Sequence, residues 1–589
     1  MIRSLLCMTT ALGFSLALAL PLLAQEATPA QDQPELTVDV GHIDSGAYLA
    51  GRNAEASGDF RAALGWFAQA LTIDPGNDQI IDGVTFASLV LGQIPEAAAF
   101  AAKRSSEGAA EGDLQISQYA RLADAALRED YPALISQLES GQNIGPLVDG
   151  LALAWARVGE GDMSAAVKQF ELVGKIRGLE PYGFYHKALA LALAGDFEGA
   201  EKIFAGLSGL DPRGVLIRAQ ILSQIGQPGE AKALLDATWP PGSEPVADAM
   251  REQLSRGEPL PFDLITSPRE GLAEVFYSLA SLLSNEADPA YTLLNTRIAE
   301  VLNPRHDHAV LLGAAMLEGL GEYDLAEESY AKFPPDHPAY YNAQLGRAAA
   351  LYAADRKEAA IEALKALTRS HGDLIVVQAA LGDTLRREER WAEAADAYDA
   401  AAALLPEKPG SNIWVLYFSR AITKERRGLY DEADLDFRRA MELNPRQPEV
   451  LNYLGYSLVE RGKNLDEALE LINKAVGIEP ESGYIVDSLA WAYFTLGRYA
   501  EALEPMERAS VLEPVDPVVT DHLGDVYWMN GRKREAEFQW HRALSYGPEE
   551  KEALRIRKKL EIGLDAVMAA EGDSAAEAAP QGEAAPVSE

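Results

Sequence analysis

The segment Leu489-Ala490-Trp491-Ala492-Tyr493-Phe494-Thr495-Leu496-Gly497-Arg498-Tyr499-Ala500-Glu501-Ala502 carries apolar residues at helical spacing as far as a glycine. A second apolar run follows through Met506 and Ala509 to Pro514. The same wording returns in Leu523-Gly524-Asp525-Val526-Tyr527-Trp528, Gly531-Arg532, Ala536, Trp540, Ala543 and Pro548. Glycine closes the first helix because it enters the left-handed region without a steric cost. Proline closes the second, having no N–H to donate and a ring that clashes with the preceding turn. Small residues at Ala490 or Gly524, and at Ala502 or Ala536, let the helices approach, while Tyr493 and Trp540 fill the wedge between them. Such a pair leaves one apolar face open and has to stack on a neighbour.

Working outward, prolines close successive segments at Pro406, Pro445, Pro480, Pro514 and Pro548, spaced 39, 35, 34 and 34 residues. Glycine or a polar turn residue sits mid-segment at Asp355, Glu389, Gly428, Gly462, Gly497 and Gly531, spaced 34, 39, 34, 35 and 34. Gly51, Gly58, Phe60, Ala63, Phe67, Ala70 and Pro75 repeat the pattern near the N-terminus, and Ala188, Gly195, Phe197, Ala200, Phe204 and Pro212 repeat it in the middle. Ala314, Gly321, Tyr323, Ala326 and Tyr330 follow, then Ala348, Ala360 and Leu364, then Gly382, Trp391, Ala394, Tyr398 and Pro406. These residues resemble the tetratricopeptide repeat (TPR), a helix–turn–helix unit of about 34 residues. The resemblance implies an all-α superhelical solenoid of about a dozen units.

The expected organisation is an N-terminal array at 44–236, a degenerate Pro-rich break at 237–270, a C-terminal array at 271–548, and a capping helix at 549–564. In that last helix Arg555, Arg557, Lys558 and Lys559 read as cations at the negative end of a helix dipole. Residues 565–589 are Ala, Glu, Pro and Gly without a base, and are expected to be disordered. Solenoid units touch mainly their neighbours. The particle should therefore be extended unless the stretch at 237–270 folds the two halves together.

Ninety acidic against 52 basic residues give a net charge of −38 over 589 residues, which speaks against nucleic acid as a partner. Arg3, the apolar run Leu5 to Leu23 and the small residue Ala24 read as a signal peptide over 1–24, followed by a polar leader at 25–43. The only cysteine is Cys7, inside that run, so no lipidation cysteine follows it and no lipid anchor is evident. The expected location is the periplasm, with peripheral outer-membrane association as the variant.

No catalytic motif emerges, and a non-enzymatic protein without cofactor or metal is expected. His306-Asp307-His308 lacks any supporting ligand spacing. Gly455-Tyr456-Ser457-Leu458-Val459 lacks the second glycine of a nucleophile elbow. What such repeats offer is a concave groove lined by consensus positions 2, 5, 9 and 12 of each first helix. Counting from Leu454, Leu489 and Leu523 as position 7, these are Glu449, Asn452, Tyr456 and Val459, then Tyr484, Asp487, Trp491 and Phe494, then Val518, Asp521, Asp525 and Trp528. Candidate protein-binding residues are Asn452, Tyr456, Tyr484, Asp487, Trp491, Phe494, Asp521, Asp525 and Trp528: aromatic grip beside polar orientation. Asp487 and Asp521 would repel the carboxylate tail that chaperone-binding members of the family clamp.

The C-terminal run Leu451-Asn452-Tyr453-Leu454-Gly455-Tyr456, Asp487-Ser488-Leu489-Ala490-Trp491 and His522-Leu523-Gly524-Asp525-Val526-Tyr527-Trp528 is similar to large Gram-negative envelope TPR proteins. Some of these are adaptors of periplasmic carboxyl-terminal processing proteases. The resemblance implies a scaffold that binds envelope proteins along its groove, with such a protease and its substrates as partners. The rival reading is a structural assembly factor for outer-membrane, pilus or polysaccharide-export machinery.

Overall fold

The structure, a computed structural model, describes residues 45–105, 114–140, 144–239, 244–284, 288–407 and 409–578. The expected signal peptide, the leader and residues 579–589 lie outside the described residues. Among the described residues every regular element is a helix. Six antiparallel pairs run from Ser45–Ala56 with Phe60–Ile73 to Pro212–Gln224 with Pro228–Thr238. A lone helix, Pro245–Ser255, follows. Eight further pairs run from Pro268–Leu283 with Pro289–Leu302 to Pro517–Met529 with Lys533–Ser545, and Glu550–Ile562 and Leu564–Ala578 complete the series.

The turn logic holds residue by residue. All six mid-segment markers take positive φ: Asp355 59°, Glu389 55°, Gly428 75°, Gly462 62°, Gly497 72° and Gly531 79°. Gly58, Gly92, Glu129, Gly161, Gly195, Gly226 and Gly321 carry the same marker through the N-terminal half. The close approach also follows the small-against-large rule. A Cβ at Gly524 would lie 2.4 Å from the Trp540 indole, and one at Gly382 2.7 Å from the Tyr398 ring. Trp540 and Ala502 are fully buried, as the wedge reading requires. Tyr493 departs from it: it is half-exposed, with the Arg498 guanidinium 4.7 Å over its ring.

The two arrays do not remain apart. The pair Pro268–Leu283 and Pro289–Leu302 turns inward and packs on the first helices of the earlier units, Asp78–Val90, Gln115–Leu127, Pro146–Gly159 and Glu180–Leu193. Leu272, Val275, Phe276, Leu293, Leu294 and Ile298 enter one continuous core with Tyr119, Leu151, Trp155 and Leu189. Gly271 sits where a Cβ would be 2.3 Å from the Trp155 ring. The outer edge of the turn closes too: Gly58 lies under Leu320, and Arg61 pairs with Glu328 at 2.8 Å. A superhelical turn thus folds back on itself, burying its concave face in its own chain.

Two expected boundaries change as a result. The stretch at 237–270 is not a break between independent arrays, because the core continues from Phe60 to Ala350. An extended form built only of neighbour contacts does not describe the N-terminal half. Nor does helical order stop at 564: after Gly563 (φ 83°) the helix Leu564–Ala578 begins, with Leu564 and Val567 buried.

Candidate functional site

Among the described residues, two clusters of chemistry-bearing side chains differ in their burial. The first lies where Pro268–Leu283 crosses the N-terminal turn. Arg213 Nε donates to Glu274 Oε2 at 2.8 Å, with both residues almost completely buried. Tyr185 donates to the other carboxylate oxygen at 2.9 Å, and His306 Nε2 lies 3.1 Å from Oε2. Burial alone would raise the Glu274 carboxyl, but Arg213 and His306 outweigh it and hold the group well below the carboxylate range. His186 contacts Ser278 Oγ at 3.2 Å through Nε2, and its Nδ1 accepts from the Trp155 indole at 3.0 Å. That second bond leaves the imidazole proton on Nε2, so the ring donates to the hydroxyl and cannot act as its general base. Burial lowers His186 to about 4 and His308 to about 3, keeping both neutral. His306 is occupied as a helix cap, its Nδ1 accepting from Ala309 N at 3.1 Å. This cluster joins elements of the fold, with Arg213, Glu274, His186 and His306 all buried.

The second place is the inner face of the C-terminal array, where the first helices of successive units contact one another. Tyr484 is 57% exposed, its hydroxyl 3.4 Å from Asp516. Trp491 is half-buried in a three-ring stack, 3.8 Å from the His522 ring and 4.7 Å from Phe494, whose own ring is buried. Asp487 accepts from His522 Nδ1 at 3.0 Å. Burial would depress His522, but Asp487 prevails and raises it, favouring the protonated imidazole beneath the indole. Tyr456 is half-buried between helices; burial first, then the charges of Glu460 and Asp487, push its hydroxyl well above its ordinary value. Asn452 Oδ1 has no hydrogen-bond partner.

The remaining three candidates are engaged by the chain itself. Lys559, fully buried, places Nζ 2.7 Å from both Asp521 and Asp525, and Arg555 Nη1 lies 3.5 Å from Asp525. Asp525 also accepts from the Trp540 indole at 2.9 Å. Trp528 donates to Asp565 at 2.9 Å, with Gly563 against its ring and Lys533 Nζ 4.3 Å above it. Asp521, Asp525 and Trp528 are therefore covered by Glu550–Ile562 and the start of Leu564–Ala578. The openness expected of them is not found. The cations read as complements to a helix dipole include Lys559, which is instead the counter-ion of two buried carboxylates.

A tetratricopeptide repeat family model matches residues 347–546. A TPR repeat-containing protein of Pseudomonas aeruginosa is 29% identical over 181 residues, covering 30% of this chain and 29% of the relative's length. Among solved structures, the Cut9–Hcn1 hetero-tetramer of the APC/C aligns over 90% of this chain and 97% of the matched chain, with 15% identity and a TM-score of 0.37. YrrB, described as a TPR protein with an unusual peptide-binding site, aligns over 34% of this chain and 99% of its own, with 18% identity and a TM-score of 0.27.

Proposed function

The chain is a tetratricopeptide repeat protein, and from that premise we propose a non-enzymatic protein-binding scaffold whose docking surface is the inner face of the C-terminal array. One observation carries the reading. The inner face of the N-terminal turn is filled by Pro268–Leu283 and Pro289–Leu302, whereas that of the later units leaves Tyr484 uncovered and Trp491 half-uncovered. The closed turn supplies a rigid base, and the open units present side chains to a partner. Large amphipathic rings of this kind are the usual anchors of protein interfaces.

The leader-like first 24 residues and the envelope-type wording of residues 451–528 support a more specific role. In it the chain is exported to the periplasm and brings protein substrates to a carboxyl-terminal processing protease. Among the described residues no helix is long and apolar enough to cross a membrane. The test uses the exported chain as bait in a cell-envelope extract, beside a Tyr484→Ser bait. Recovery of a processing protease that falls with Tyr484→Ser supports the adaptor role. Recovery of export or pilus subunits instead would redirect the proposal to envelope assembly. Equal recovery by both baits would remove the inner face from the argument.

A further inference from the structure

We infer that the segment docking on the inner face of the C-terminal array is an extended chain in which apolar side chains are interspersed with Lys or Arg, an inference that rests on the scaffold reading above. The register that makes Glu449, Asn452, Tyr456 and Val459 inward gives Val415, Phe418, Ile422 and Glu425 on the preceding first helix, Trp414–Arg426. With Tyr484, Asp487, Trp491 and Phe494 of the following unit, these twelve positions contain three acids and no Lys or Arg. Val415 and Tyr484 are exposed, Phe418, Tyr456 and Trp491 are half-buried, and Glu425 and Glu449 lie among them with part of their surface in solvent. Asp487 is already paired with His522, and Glu425 is bonded to Ser457 with Arg461 and Arg426 beside it, so Glu449 sets the sign of the accessible face.

The next unit shows what this register accepts. Its inward acids, Asp521 and Asp525, are met by Lys559 and Arg555, which stand on the helix stacked after them. The chain's own end thus places cations on the carboxylates and a glycine backbone on the Trp528 ring. One unit earlier that pairing ends: Asp487 is taken by His522, and what stays uncovered is the Tyr484 ring and part of Trp491. Extended backbone is favoured by spacing. Packed helices stand about 8–10 Å apart, and an extended chain covers that distance in about three residues at ~3.3 Å each. A segment running across the helices therefore meets a new inward row about every third side chain, which allows apolar anchors with cations between them.

The experiment selects a phage-displayed library of random short peptides on the full chain at low salt and sequences the binders. Enrichment of Lys or Arg beside aliphatic and aromatic residues is the expected result. Selected peptides should lose about tenfold or more in affinity on Glu449→Lys and a smaller factor on Glu449→Gln, with the loss shrinking at high salt. Glu425→Gln gives a second reading at a different helix. Enrichment without charge bias, or of acidic peptides, overturns the cationic assignment while leaving the docking surface standing. Binders that keep their affinity on Tyr484→Ser, or no enrichment at all, overturn the docking surface itself.

Discussion

Gly271 offers a test in which helix propensity and packing predict opposite signs. It lies inside the helix Pro268–Leu283, where replacement of glycine by alanine ordinarily stabilises by about 0.5–1 kcal/mol. The structure forbids that gain. The new methyl carbon would fall 2.3 Å from the Trp155 Cδ2 and Cε3 atoms, more than an ångström inside the ~3.5–4.0 Å of a favourable carbon contact. The indole has nowhere to go. It is fully buried, stands edge-on to Phe170 at a centroid distance of 5.7 Å and donates to His186 at 3.0 Å. Overpacking of this kind costs about 1–3 kcal/mol. Gly271→Ala should therefore destabilise the N-terminal turn by about 1–2 kcal/mol after the propensity gain is subtracted. Gly65→Ala is the control, since Gly65 is helical and has nothing within 4 Å of its Cβ position; it should stabilise by about 0.5–1 kcal/mol. Denaturant unfolding followed by tryptophan fluorescence reads both, and small-angle scattering shows whether the crossing helices lift away. If Gly271→Ala stabilises as much as Gly65→Ala does, the crossing helix is not seated on Trp155, and the claim that the N-terminal groove is filled fails with it.

At the turns, Asp355→Gly and Glu389→Gly should each stabilise by about 0.5–1 kcal/mol in thermal unfolding, because both residues hold positive φ at 59° and 55°. Lys559→Met should cost about 3 kcal/mol by leaving two buried aspartates without their closest counter-ion. Adding Asp521→Asn should recover part of that loss in the same urea titration. Acid should loosen the N-terminal turn before carboxylate titration does. His186 and His308 are lowered by burial to about 4 and about 3, so the unfolded chain takes up more protons than the folded one below pH 6.5. Their stabilising effect is complete above that pH and is lost as pH falls toward 4, by an amount on the order of 3 kcal/mol per histidine. Urea midpoints measured across that window should fall with pH, and His186→Phe should flatten the slope.

The helix pairs were legible because their determinants are local: a turn residue able to take positive φ, a proline past the second helix, and a small residue opposite a large one. Asp355 and Glu389 fit the pattern without being glycine because period, not composition, marked them. Closure of the N-terminal turn was not legible. Leu272, Val275 and Phe276 on the crossing helix look like any stacking face, and nothing near them in sequence names Trp155 or Leu189 as the surface they meet. The Pro-rich stretch after Trp239 reads as a divider for the same reason. A proline-rich connection shows that the chain changes direction, not where it lands.

At the candidate site, the inward register is readable from the repeat, and of the residues it names Tyr484 is exposed while Tyr456 and Trp491 are half-buried. The register does not end at Trp528. Carried one unit further, the same spacing puts Arg555 and Lys559 at positions 5 and 9, opposite Asp521 and Asp525 on the helix before them. A capping helix has to cover the last apolar face, and by the same stacking it brings its inward residues against those of its neighbour. Lys559 is thus as much a product of the period as Trp540 is. Burial decides between the two readings of its charge, because a dipole complement stays in solvent whereas a counter-ion to paired carboxylates must enter the core with them. The period therefore tells which side chains face inward, and the next stacked helix decides which of them a partner can still reach.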